Sequence, residues 1–263
     1  MARFIFKPIL LLFLIFTANL SLALDSKFEE GVRLFGEKEF EKAEAAFSEA
    51  LKADPLNTDI YFNLGLSNYN LLKTGKALAY WRRALDINPY YSEARKALRV
   101  GIKERAITPL PEEEPLSEKF RRNVLSYVSF DLFLTFFFIF FVSGLLKLVH
   151  YFGSARRALL AEQAKPALGT LTPFLLFLAI FFLSLVLLRA LDYTSPRATV
   201  IERRETVRSG PSSEDASLFD LFEGHEVIVR QSRQDWVQIS YPGGYTGWVK
   251  KASLIHSSGR QPW

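Results

Sequence analysis

FEEGVRLFGEKEFEKAEAAFSEALKADP (Phe28–Pro55) and FNLGLSNYNLLKTGKALAYWRRALDINP (Phe62–Pro89) are the two stretches whose alignment decides the first part of the fold. An offset of 34 residues puts Gly31 on Gly65, Ala43 on Ala77, Phe47 on Trp81, Ala50 on Ala84 and Pro55 on Pro89. Five matches at one spacing mark an internal repeat. Each residue type has a physical task. The glycines and alanines sit where paired helices cross, and a larger side chain there would push the backbones apart. Phe47 and Trp81 fill the space between helices. Pro55 and Pro89 end the second helix of each unit, because proline has no amide donor and clashes with the preceding turn. Leu64, Leu71 and Leu72, followed by Leu78 and Leu85, provide apolar faces for two amphipathic helices.

These residues resemble the tetratricopeptide repeat family. The repeat domain is expected over 24–107, with repeats at 24–57 and 58–91 and a basic capping helix at 92–105. Solenoids need a polar outer end, and two repeats with a cap are near the lower limit of stability. The resemblance implies a concave peptide-binding groove. Its candidate residues are Phe28, Val32, Phe35, Phe62, Asn63, Leu66, Tyr69, Asn70 and Lys96. The family's carboxylate-clamp pattern needs Lys and Asn where this chain has Phe28 and Val32, so an apolar or aromatic ligand segment fits better than an acidic C-terminus. The competing reading is that several of these aromatics are core.

Three stretches are nearly pure hydrocarbon. The first follows Arg3 and Lys7, runs from Ile9 to Phe16 and closes on Ser21-Leu22-Ala23. This layout predicts a signal peptide over 1–23, and an uncleaved anchor is the alternative. The other two predict transmembrane helices at 125–149 and 171–191, each long enough for ~30 Å of hydrocarbon. Between them, a loop at 150–170 and its boundary carry Lys147, Arg156, Arg157 and Lys165 against one acid, Glu162, which predicts a cytoplasmic location. Lys119, Arg121 and Arg122, before the first span, point the other way and are outweighed by the signal peptide and the loop. Both flanking domains are then expected on the periplasmic or exported side of a bacterial inner membrane. Asp131 reads as a topological edge or helix contact. A stiff acidic linker is expected at 108–124, from its TPLPEEEPLS segment (Thr108–Ser117).

From 197 to 256 the period changes to alternation: Ala198 and Val200, Val227 and Val229, Val237 and Ile239. Ser209-Gly210-Pro211, Glu223-Gly224 and Pro242-Gly243-Gly244 supply the turns of short antiparallel strands. Glu223-Gly224 and the GWV segment at Gly247–Val249 resemble the bacterial SH3-like family and imply a small all-β barrel. A short tail follows at 257–263. The candidate binding face comprises Trp236, Tyr241, Tyr245 and Trp248, beside Ser209–Ser217, for a protein segment or for peptidoglycan. Core packing competes for the tryptophans.

The chain has 263 residues, a formal charge of +5 and no cysteine. The missing thiols exclude disulfides, thiolate metal sites and thiol nucleophiles. Much of the positive charge flanks apolar spans, so no nucleic-acid partner is expected. His150, His225 and His256 lack metal spacing, and no phosphate loop or nucleophile elbow occurs. No cofactor, metal or catalytic activity is therefore expected. The fold class is a multidomain membrane protein, with all-α helical hairpins, two transmembrane helices and a small barrel. That order resembles the BatE-type proteins of the bacterial aerotolerance (Bat) operon. The resemblance implies an envelope adaptor near membrane-bound von Willebrand A-domain proteins and, indirectly, a MoxR-type ATPase, linked to stress tolerance. Cell-wall binding through the barrel is the alternative.

Overall fold

The computed structural model describes residues 27–104 and 116–259. The expected signal peptide, most of the acidic segment and the last residues of the tail lie outside the described residues. Two compact units emerge. One joins the helices before residue 115 to the C-terminal sheet after Pro196, and the other comprises Leu116–Ser195.

In the first unit, α1 (27–36) and α2 (Phe40–Ala53) form one helical hairpin. The second hairpin is α3 (Thr58–Asn70) and α4 (Thr74–Ile87), and α5 (Ser92–Glu104) follows. The two hairpins turn in the same way. Lys38 (φ 63°) and its 34-residue counterpart Leu72 (φ 60°) both take the left-handed conformation. Glu39 N–H donates to Leu34 O and Lys73 N–H to Asn68 O, each at 2.9 Å. This is the six-to-one bond that closes a helix C-terminus. Asn57 caps α3 by accepting from the Asp59 and Ile60 amides at 3.0 and 3.3 Å. Pro55 and Pro89 each lie two residues past a helix end.

Side-chain size sets the crossings. A Cβ at residue 31 would lie 2.6 Å from the Phe47 ring, and one at residue 65 would overlap the Trp81 indole. Leu34, Ala43, Phe47, Ile60 and Leu64 form one core, while Ala77, Leu78 and Trp81 form the next, with Ala97 and Leu98 of α5 packed against it. Trp81 Nε1 donates to Phe62 O at 3.2 Å, which satisfies its buried polar group. Burial pushes the Tyr80 hydroxyl up to about 12, helped by the Glu44 carboxylate and by Tyr61.

The sheet contains β1 (Arg197–Val200), β2 (Arg204–Arg208), β3 (Ser217–Phe222), β4 (Glu226–Arg233), β5 (Trp236–Tyr241), β6 (Tyr245–Lys250) and β7 (Leu254–Ser258). All pairings are antiparallel, in the order β3-β2-β6-β5-β4-β1-β7. Val237, Ile239 and Tyr241 alternate inward along β5 and join Ala198, Val200, Val207, Leu221 and Val249 in the core. Strand β1 departs from alternation, since all four of its residues are buried. Its second face is covered by α4, which packs on β1 and β7. Arg82 Nη1 donates to Thr199 Oγ1 at 2.8 Å and to Gly224 O at 2.9 Å. A Cβ on Gly75 would lie 2.8 Å from Ile201 Cα, so only glycine admits the chain there. Glu223 Oε2 accepts from the Gly75 amide at 3.4 Å. It brings negative charge to a helix start that has no side-chain cap of its own.

The second unit contains α6 (Leu116–Asn123), a short 3₁₀ turn (Leu125–Tyr127), α7 (Phe130–Leu160) and α8 (Leu171–Thr194). Helices α7 and α8 are long and apolar enough to cross a membrane. They pack on each other where Gly144 admits Leu176, whose Cδ2 would be 2.8 Å from a Cβ, and where Phe182 meets Phe136 and Phe140. The bounds differ from the expected 125–149 and 171–191. Helix α7 starts later because Ser129 Oγ accepts from the Leu132 amide at 3.3 Å and sets the cap. It then continues to Leu160, through residues expected to be loop, until Glu162 turns left-handed (φ 54°). Asp131 lies in the first turn of α7, where the helix dipole favours an acid.

Replacing Gly65 by Val should destabilise the helical repeats by about 1–3 kcal/mol through overpacking against Trp81. Gly36→Ala, where a Cβ meets nothing within 4 Å, should be neutral or slightly stabilising. Thermal unfolding of the two detergent-solubilised variants distinguishes them.

Candidate ligand-binding groove

The helical candidates divide by what they already touch. The Phe28 ring lies 5.7 Å from Phe47, Phe35 is 5.3 Å from Phe40, Phe62 is 5.3 Å from Tyr91, and Tyr69 is 5.7 Å from Trp81. Leu66 packs on the Trp81 core. Each of these five is half-buried, so part of its surface serves the helical core. Val32, Asn70 and Lys96 are exposed. Asn63 and Asn70 donate to the carbonyls of Asp59 and Leu66, at 2.8 and 2.9 Å. Sequence reasoning did not single out Tyr91, whose hydroxyl donates to Asp59 Oδ1 at 2.6 Å and joins the start of α3 to the start of α5. Burial and then that bond hold its pKa well above the usual tyrosine value.

In the barrel, strand parity separates the four aromatic candidates. Trp236 pairs with Lys250 and Gln238 with Trp248, which puts these side chains on the outer face of β5 and β6. Tyr241 pairs with Tyr245 on the opposite face. Tyr241 is 6% exposed within the core, its ring tilted 5.2 Å from that of His225. Tyr245 packs edge-on against Phe219 at 5.4 Å. Trp248 is also only 6% exposed, because β2 lies beside it and the Arg233 guanidinium sits 5.9 Å above its ring. The four do not share one binding face.

Trp236 lines a groove. It is half-buried beside an open groove of about 710 Å³, bordered by Pro211, Ser212 and Ser213 on one side and by Asp235, Lys250 and Lys251 on the other. The Pro211–Ser213 wall is the β2–β3 turn, whose base is tied by Arg208 Nη1 donating to Asp215 O at 2.8 Å. The opposite wall is held by the Lys251 amide donating to Asp235 O at 2.7 Å and by the Lys250 amide donating to Glu205 Oε1 at 3.2 Å. An indole platform between two lysines, an aspartate and two serines suits an extended peptide or a polar polymer. Among the described residues, no set of three His, Asp or Glu side chains converges on a metal position. Of the sequence candidates, Ser209–Ser217 supplies part of this groove. Lys250, Lys251 and Asp235 were missed, although the strand register that follows from the GWV segment would place Lys250 opposite Trp236.

Residues 206–255 match the family model described as Bacterial SH3 domain. No curated protein matches the chain. The matched region runs from β2 into the start of β7 and contains the whole groove. The antiparallel sheet is consistent with an SH3-like domain, and such a domain points to protein or cell-wall binding. Strand β1, which meets α4, precedes the matched region.

Trp236→Ala should abolish ligand capture by the groove while leaving the thermal transition within a few degrees. Trp248→Ala should instead cost about 3–5 kcal/mol of stability, since it removes a buried indole. Paired denaturation and binding measurements on the full chain check both expectations.

Proposed function

We propose that this protein is a non-catalytic envelope adaptor, holding a protein segment in the Trp236 groove while its helical repeats contact the same partner. The observation that carries this reading is the groove itself, which lies within the matched bacterial SH3 region and is lined by the Trp236 indole. In this reading the hairpins α1–α4 are tetratricopeptide repeats. Their 34-residue offset, the shared left-handed turns at Lys38 and Leu72, and the close Gly31–Phe47 and Gly65–Trp81 crossings all support it.

Helices α7 and α8 would cross the inner membrane as a hairpin. The contact between α4 and β1 supports that arrangement, because two segments packed on each other must lie on one side of a bilayer. The exported side is favoured by the signal-like N-terminus and by the cations between the spans. The resemblance to BatE-type proteins makes von Willebrand A-domain membrane proteins the leading partners, with a MoxR-type ATPase recruited indirectly. Cell-wall binding is the second reading, and it rests on the bacterial SH3 match.

Mild crosslinking of the full chain in cells, followed by affinity purification, should recover von Willebrand A-domain membrane proteins with the wild type and lose them with Trp236→Ala. Sedimentation with purified peptidoglycan sacculi is the counter-test. Wild-type cosedimentation lost in Trp236→Ala, without any protein partner, would replace the adaptor reading by the wall-binding one.

A further inference from the structure

The two ends of the α7–α8 pair treat their cations differently. At the end formed by α6, the start of α7 and the end of α8, the cations are largely neutralised. Arg121 Nε lies 2.9 Å from Glu118 Oε2 and 4.0 Å from Asp192 Oδ1, and Arg189 Nη1 lies 2.8 Å from Asp192 Oδ2. Arg122 makes a further interaction, and Lys119 has no ion pair among the described residues. At the opposite end, Lys147, Arg156, Arg157 and Lys165 are all exposed, and none has an acidic partner among the described residues. The only acid between Lys147 and Lys165 is Glu162.

Helix length places these cations at a definite depth. Helix α7 has 31 residues and spans about 46 Å. About 20 residues suffice for the ~30 Å hydrocarbon layer. If Phe130 starts that layer, Lys147 lies at its far edge and the stretch from His150 to Leu160 passes through the headgroups. That stretch alternates exposed apolar side chains (Phe152, Leu159 and Leu160) with Arg156 and Arg157. Phe152 just past the hydrocarbon edge, with the unpaired guanidinium groups of Arg156 and Arg157 further out at headgroup height, forms a surface suited to anionic lipid. Guanidinium groups bind phosphate oxygens in a bidentate fork, and Arg121 and Arg189 at the other end already have carboxylates.

We infer that the α7–α8 turn end, through Lys147, Arg156, Arg157 and Lys165, binds the headgroups of anionic phospholipids in preference to zwitterionic ones. This rests on the reading that α7 and α8 cross the bilayer. The partner is the lipid and not an acidic protein segment, because Lys147, Arg156 and Arg157 lie on a helix whose apolar side chains are exposed beside them.

The test uses the full chain in mixed micelles with equal phosphatidylcholine and phosphatidylglycerol, counting the phospholipids that copurify. The wild type should retain phosphatidylglycerol in several-fold excess. Arg156→Gln/Arg157→Gln/Lys165→Gln should lose most of that excess, at up to about fivefold per cation. Lys119→Gln/Arg121→Gln should keep it. Should the triple variant misfold, the same excess in the wild type must collapse at high salt. Equal retention of both lipids by the wild type, or an excess unaffected by both the triple variant and salt, overturns the inference. Flotation with liposomes tests the membrane reading separately. A chain that does not float sinks that reading, whereas one that floats without lipid preference sinks only this inference.

Discussion

Helix α4 is buried on two sides, and most of the first unit depends on that. One stripe, Ala77, Leu78 and Trp81, closes the second helical core. Another, Gly75, Ala79 and Arg82 at helical spacing, carries the contact with the barrel. Three features make the second contact specific. Glycine at 75 allows backbone to approach backbone, Arg82 satisfies a strand hydroxyl and a turn carbonyl together, and Glu223 supplies charge at the helix start. The counterparts of Gly75 and Arg82 in the first hairpin, 34 residues earlier, are Glu41 and Ser48. A barrel could not approach α2 in the same way, so the repeat is broken where the second module attaches.

The hairpins and their crossings were legible in the sequence because the reasons are local. A left-handed turn, a proline past a helix end and a glycine opposite an aromatic act within one 34-residue unit. The offset also pairs Phe28 with Phe62 and Leu51 with Leu85, an available signal that went unused. The strand alternation of the barrel was equally legible, and the family match at 206–255 agrees with it. The binding face was read less well. Tyr241 and Tyr245 look like surface aromatics by composition, but strand parity turns them away from Trp236. Trp236 and Tyr241 are five residues apart in β5, whose pairing with β6 runs without a shift. Alternation therefore puts them on opposite faces, but which face is the core is not written in the aromatic residues themselves. A one-residue slip exchanges the faces, so residue type could not distinguish a core tyrosine from a platform.

The contact between α4 and β1 was illegible for a different reason. Its partners are separated by more than 100 residues, 117 for Arg82 and Thr199 and 148 for Gly75 and Glu223. No periodicity links them. Arg82 reads as a solvated cation on a basic helix, and Gly75 as a weak spot near a helix start. A retrospective clue exists in β1 itself. Arg197, Ala198, Thr199 and Val200 mix polar and apolar residues, yet every one is buried. A strand buried on both faces with polar residues on one of them requires a hydrogen-bonding neighbour, because unpaired buried polar groups are costly.

The docked sheet alters how the proposed adaptor would bind. Two modules on a flexible tether gain affinity through effective concentration, with wide tolerance for where the partner presents its second epitope. Here the repeats and the barrel are in contact through α4, so little freedom remains to adjust the distance between the Trp236 groove and the exposed helical surface around Val32, Asn70 and Lys96. Less ordering entropy is lost when a partner of matching geometry binds both surfaces. A partner with mismatched spacing can engage only one of them and gains nothing from the other. Selectivity would then come from geometry more than from either surface alone. Arg82 and Gly75, which touch no ligand, would set that geometry.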